Sequence, residues 1–296
     1  MGSSIVCEKV SLLPRDALTS WQDGQGHLFC LRPNEETLPQ ETDDDAHGCI
    51  HTSGTSGAVW AIGGMFCKVK AWVEGVEAEA DTLRYVRERF SEIPVPETVY
   101  DWVERASSRS FLILKPVVGE TLQRAWPSLS RWQREQIAVQ VAQYCGTLAE
   151  EKSGSLGTAT GCGIRDQHLS PERAQDAPSW KPIPLRPLSR PEAMIYLDPM
   201  DAGENFPFYH ADLSPTNIMV AGDGSVTGIL DWESAAFYPR VWIATKPKVA
   251  YGFILEDVDG DEWEWRSLFV SALEEKQFSP DVAAFKHFGR KVTLLP

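Results

Sequence analysis

The segment YHADLSPTNIMV, residues 209–220, sets His210, Asp212 and Asn217 just before an apolar strand, and Asp231 follows in GILDWESAAFYP. Short polar groups at a strand entrance usually do turn chemistry. Here IMV (218–220) and VTGIL (226–230) flank AGDGS, a Gly/Asp cluster, and read as the two arms of a hairpin. Asn217 stands six residues before Asp223 and Asp231 eight after it, so both fall at the hairpin's open end. An amide oxygen and a carboxylate converging there are hard ligands, of the kind Mg²⁺ takes while it also holds phosphates. Asp212, in the loop just upstream, overhangs the same spot. Turn chemistry accounts for any one of these residues, but all of them in register point to metal-assisted phosphate chemistry.

The rest of the chain supplies elements that could position such a site. Residues 1–45 are mixed and polar and read as a short helical extension and a loop. From 48 to 72 two apolar stretches around Gly-rich turns predict strands, and residues 74–90 have helical periodicity through Val76, Ala80, Leu83 and Phe90. Glu79 falls on the apolar side of that helix, while Glu77, Asp81 and Glu88 fall off it and are expected in solvent. ETVYDWV and SFLILK predict two further strands, and the character of the chain changes near 115–118. Ser130 with Gln133 reads as a capping box opening a helix through Glu150. Residues 152–207 carry eight of the twenty prolines and read as long loops, and the C-terminus is largely helical.

With 296 residues, 43% of them hydrophobic, the chain can bury a substantial core. Its net charge of −14 offers no basic face for nucleic acid and suits a cationic small-molecule partner as well as plain solubility. No apolar run is long enough to span a membrane, and six scattered cysteines without metal-ligand spacing fit a reduced, cytoplasmic protein. The oligomeric state is not legible.

His210-x-Asp212-Leu213-x-x-x-Asn217 matches the H-x-D-L-x-x-x-N arrangement of protein kinases, but Asp231 stands in Asp-Trp-Glu where those enzymes have Asp-Phe-Gly. With Ala211 in place of the arginine, the pattern resembles the aminoglycoside phosphotransferase and choline kinase group. PVVGETLQRAWPSLS and the segments around Asp212 and Asp231 look like its fungal-type branch, over about residues 48–245. The resemblance implies a two-lobed, protein-kinase-like α+β fold. Residues 1–116 would form a small lobe of antiparallel sheet plus helix, and residues 117–296 a larger, mainly helical one. It also implies ATP- and Mg²⁺-dependent transfer of the γ-phosphate to a hydroxyl, less readily an amine, of a small molecule.

Carried over by resemblance, Asp212 would orient or deprotonate the acceptor, His210 would brace the loop, and Asn217 and Asp231 would hold Mg²⁺. Lys68, with Lys70 as alternate, would contact the phosphates and Glu79 would hold the lysine. Gly54 and Gly57, with Ser53, Thr55 and Ser56 as donors, would cover the phosphates. The Lys115 carbonyl and the Val117 N–H would meet the adenine. The family often carries an acid shortly after Asp-Trp-Glu, but YPRVWIATKP has Trp242 and none nearby. Six acids in LEDVDGDEWEW (255–265) form a patch that a cationic substrate would fit, or a solvated loop. Two other readings compete: a non-catalytic nucleotide-binding scaffold, or pseudokinase, and a protein kinase. The intact Asp212, Asn217 and Asp231 weigh against the first, and the missing A-P-E segment against the second.

Overall fold

A computed structural model describes residues 4–34, 48–53, 56–174 and 176–292. The chain divides into two compact units: Met1–Glu74 with Pro96–Pro116 and Gln175–Pro182, and Gly75–Val95 with Val117–Ala174 and Ile183–Pro296. The class is mixed α+β.

The first unit is antiparallel sheet. Strands β1 (Ile5–Val10), β2 (Thr19–Gln22) and β3 (Leu28–Pro33) form a sheet in the order β1-β3-β2. The helix expected near the N-terminus is therefore replaced by strands. Ile5, Trp21 and Leu31 pack with Cys67 and Ile113 of the neighbouring sheet, and the Trp21 indole N–H donates to the Gly63 carbonyl at 2.9 Å. Burying these side chains offsets the ordering cost of short strands with little local signal. The larger sheet, β4-β5-β6-β8-β7, uses Cys49–Ser53, Gly57–Ile62, Met65–Ala71, Arg109–Leu114 and Thr98–Glu104 in that order. On β6, Lys68 stands opposite Val59 and Leu112.

The second unit opens with α1 (Glu79–Arg89), a helix counted with residues 1–116 on sequence but grouped here with the later chain. Strand β9 (Glu120–Thr121) leads into α2 (Leu122–Ala125), and α3 spans Arg131–Leu148. The α3 capping box is formed, with Gln133 N donating to Ser130 Oγ and Ser130 N to Gln133 Oε1. Ile137, Val141, Cys145 and Leu148 bury one face of that helix. The Pro-rich region holds two-residue strands β10 (Lys152–Ser153), β11 (Ser155–Leu156) and β12 (Leu188–Ser189), and helix α4 (Arg190–Leu197).

Strand β13 (Phe206–Tyr209) runs into the hairpin β14 (Ile218–Val220) and β15 (Val226–Ile229), and β16 (Ala236–Phe237) pairs back onto β13. Helices α5 (Trp242–Val249), α6 (Glu264–Glu275) and α7 (Val282–Val292) complete the chain. No described helix is long and apolar enough to cross a membrane.

Candidate functional site

The hairpin register brings the polar residues together. Ile218 pairs with Ile229, and Leu230 N–H donates to the Asn217 carbonyl at 2.8 Å, so Asn217 and Asp231 share its open end. The Asn217 side-chain amide donates to the Asp212 carbonyl at 2.9 Å and to Asp212 Oδ2 at 3.0 Å. With its nitrogen committed there, the Asn217 amide oxygen is the atom left to meet a cation.

His210 ties the loop to the same strand end. Asp212 N–H donates to its Nδ1 at 3.1 Å, so Nδ1 lacks a proton and Nε2 carries one, which it gives to the Leu230 carbonyl at 3.0 Å. The ring is wholly buried and stands edge-on to Trp232 with centroids 4.5 Å apart. These bonds hold an unfavourable backbone. Ala211 has φ 65° and Asp231 φ 60°, left-handed values that cost a non-glycine residue about 1–2 kcal/mol. Both residues flank the site, where such strain tends to collect.

Asp231 begins the short 3-10 turn Trp232–Ser234, whose first N–H, that of Trp232, donates to Glu79 Oε1 at 3.1 Å. Glu79 is thus a buried carboxylate on the turn that carries Asp231. Glu77, expected in solvent, is buried instead. Its Oε1 accepts from Thr82 Oγ1 at 2.7 Å, and its Oε2 accepts from Thr160 N and Oγ1 at 2.9 and 2.7 Å. Pairing with donors removes the cost that makes lone buried carboxylates rare.

Burial and the neighbouring charge of Asp231 push the Asp212 carboxyl up to about 6, against the pull of the Lys246 ammonium. Two carboxylates that repel, beside an amide oxygen, form a donor set that a hard divalent cation would relieve. Among the described residues no group of three or more His, Cys, Asp and Glu gathers.

Most of the other candidates belong to the first unit. In the first unit Lys68 is buried on β6 while Lys70 is half-buried. An added Cβ at Gly57 would stand 2.8 Å from Lys70 Cδ and 3.2 Å from the Val69 carbonyl oxygen, so the Lys70 side chain would have to shift. Ser56 forms the preceding turn, its carbonyl accepting from Ala71 N–H at 2.7 Å. Gly54 and Thr55 lie outside the described residues. Lys115 pairs with Glu97 at 2.6 Å. Val117, in the second unit, packs over Gly228, where an added Cβ would come within 2.6 Å of Val117 Cγ1.

Sequence reasoning missed a buried acid. Asp166, from the loops of the Pro-rich region, accepts from the Trp242 indole at 2.9 Å and pairs with Lys246 at 2.8 Å. An acid does reach the stretch after Asp-Trp-Glu, but from 76 residues before Trp242. The local sequence GIRDQHL, with the aspartate between an arginine and a glutamine, gives no sign of its burial.

A strained, hydrogen-bonded loop set against a carboxylate-bearing hairpin makes up the candidate site. The model of the phosphotransferase enzyme family matches residues 51–242, and the chain belongs to that family. No protein of curated function matches the sequence. Among solved structures, the chain is similar to an aminoglycoside-3'-phosphotransferase of type VIII, with 18% identity over 83% of this chain and 93% of that one and a TM-score of 0.49. It is similar to aminoglycoside phosphotransferase APH(3'')-Id from Streptomyces rimosus at 18% identity over 83% and 90%, also with a TM-score of 0.49. A streptomycin–ATP complex of APH(2")-IIa is similar at 13% identity over 82% and 80%, with a TM-score of 0.46.

Proposed function

We propose that this phosphotransferase moves the γ-phosphate of ATP, with Mg²⁺, onto a hydroxyl of a small molecule. The observation that carries the reading is the Asn217 amide anchored on Asp212 beside the hairpin end that carries Asp231. Asn217 and Asp231 would hold Mg²⁺, which neutralises phosphate charge when bound. Asp212, fixed by Asn217 and by the His210 ring, orients the attacking hydroxyl and takes its proton. His210 keeps Asp212 in place and does not itself react. Lys68, Gly54, Ser56, Gly57 and Lys115 are the nucleotide-binding candidates of the first unit, and Glu79 and Val117 those of the second. The acids from Glu256 to Glu262 are exposed and favour an acceptor with positive charge.

The test is ATP turnover and product formation across a panel of amines, aminoglycosides, choline-like alcohols and sugars. Asp212→Asn should abolish transfer and leave MgATP binding nearly intact. Full activity in that variant removes Asp212 as the base, and a wild-type chain that binds no MgATP ends the reading.

A further inference from the structure

Arg165 and Asp166 are neighbours in the chain, and each grips a different part of the machinery around Asp212. Arg165 Nη1 lies 3.0 Å from Glu233 Oε2, and Glu233 belongs to the Asp-Trp-Glu turn that begins at Asp231. Asp166, fully buried, meets both Trp242 Nε1 and Lys246 Nζ through Oδ2, while its Oδ1 accepts from His168 N–H at 2.9 Å. Trp242 and Lys246 are four residues apart and share a face of α5, so one carboxylate oxygen ties two successive turns. Pro247 sits within that helix and cannot supply the N–H a regular turn needs, so a side-chain tie here replaces a lost main-chain one.

The end of α5 leads directly to the site. Ala250 N–H donates to the Lys246 carbonyl at 3.0 Å, and the following turn sets Gly252 where an added Cβ would be 3.7 Å from Asp212 Oδ1. The loop bearing Arg165 and Asp166 is itself fixed: Ile164 and Leu185 exchange main-chain hydrogen bonds at 2.8 and 2.9 Å.

We propose that Arg165 and Asp166 are a positioning pair for phosphoryl transfer, setting Asp231 through Glu233 and the surroundings of Asp212 through Lys246 and α5. The inference rests on the proposed function. The electrostatics agree with it. Burial alone would raise the Asp166 carboxyl, but the Lys246 ammonium and its hydrogen bond outweigh that and hold it below the ordinary range, so the carboxylate stays charged.

The experiment uses the full chain with MgATP alone, comparing wild type with Arg165→Met and the double variant Asp166→Asn/Lys246→Met. Replacing a buried ion pair with neutral groups of similar volume is often neutral for stability, and Arg165→Met serves if the double variant does not fold. The expected result is an unchanged stoichiometry of MgATP binding, a KM for MgATP within about twofold of wild type, and kcat for hydrolysis lower on the order of tenfold to a hundredfold. Arg165→Lys should recover part of the loss. A kcat within about twofold of wild type in folded variants overturns the proposal, as does a loss that merely tracks the fraction of chain able to bind MgATP. A wild-type chain that neither binds nor turns over MgATP removes the proposed function and this inference together. An active wild type with unaffected variants removes only the inference.

Discussion

The Asn217 side chain holds Asp212 twice, donating to its carbonyl at 2.9 Å and to its carboxylate at 3.0 Å. One amide nitrogen therefore fixes the proposed base and is committed to it. Asn217→Ala removes that hold and the amide oxygen proposed for Mg²⁺. Transfer should fall on the order of a hundredfold and the Mg²⁺ concentration for half-maximal activity should rise, read from Mg²⁺ titrations at saturating ATP. An unchanged Mg²⁺ requirement would count against Asn217 as a ligand.

Asp212 gives a pH prediction. Its folded carboxyl is raised from an ordinary 3.8 to about 6, by burial first and by Asp231 next. In that window the folded state holds the proton more tightly than the unfolded one, so stability is lost as pH rises from 3.8 to about 6 and is flat above. The loss amounts to about 3 kcal/mol. Without metal at pH 7.5, Asp212→Asn should therefore melt higher than wild type although it is inactive, and the gap should close near pH 4. A variant less stable than wild type at pH 7.5 contradicts the strain assigned to this carboxylate.

Glu79 offers a buried acceptor to the turn that bears Asp231. Glu79→Ala leaves the Trp232 N–H without that acceptor and should cost about 1–3 kcal/mol in chemical denaturation. Glu79→Gln keeps a carbonyl oxygen in place and should cost less. Equal losses in the two variants would show that charge, not the hydrogen bond, is what matters there.

Gly119 and Gly222 make a matched contrast. An added Cβ at Gly119, where φ is +112°, would sit 2.3 Å from the Val220 carbonyl, so Gly119→Ala must push the chain off β14. The expected cost is roughly 3 kcal/mol or more. At Gly222 nothing lies within 4 Å, and Gly222→Ala should be nearly silent. Thermal melts of both variants decide the matter.

Much of the geometry of the candidate site was legible because its signals are local. The AGDGS turn fixes which residues end together, and the capping pair Ser130 and Gln133 marks a helix start by itself. What escaped depends on distant partners. The N-terminal strands lack clean alternation and are held by Cys67 and Ile113, far along the chain. Glu77 looked solvated because the threonine that satisfies its Oε2, Thr160, lies in a loop 83 residues away. Asp166 was invisible for the same reason. A buried charge is recognised by its partners, and these came from α5.

Ala211 has a consequence for how this loop can change over generations. It is fully buried at φ 65° between His210 and Asp212. The left-handed backbone penalises any Cβ, branched ones most, and the packed surroundings leave little room for anything larger. Single-nucleotide changes from an alanine codon reach glycine, serine, threonine, proline, valine, and aspartate or glutamate. Of these, only glycine fits both the backbone and the volume. Position 211 thus has a mutational neighbourhood of essentially one residue, and drift there would relax the loop's backbone before it altered any side chain of the candidate site.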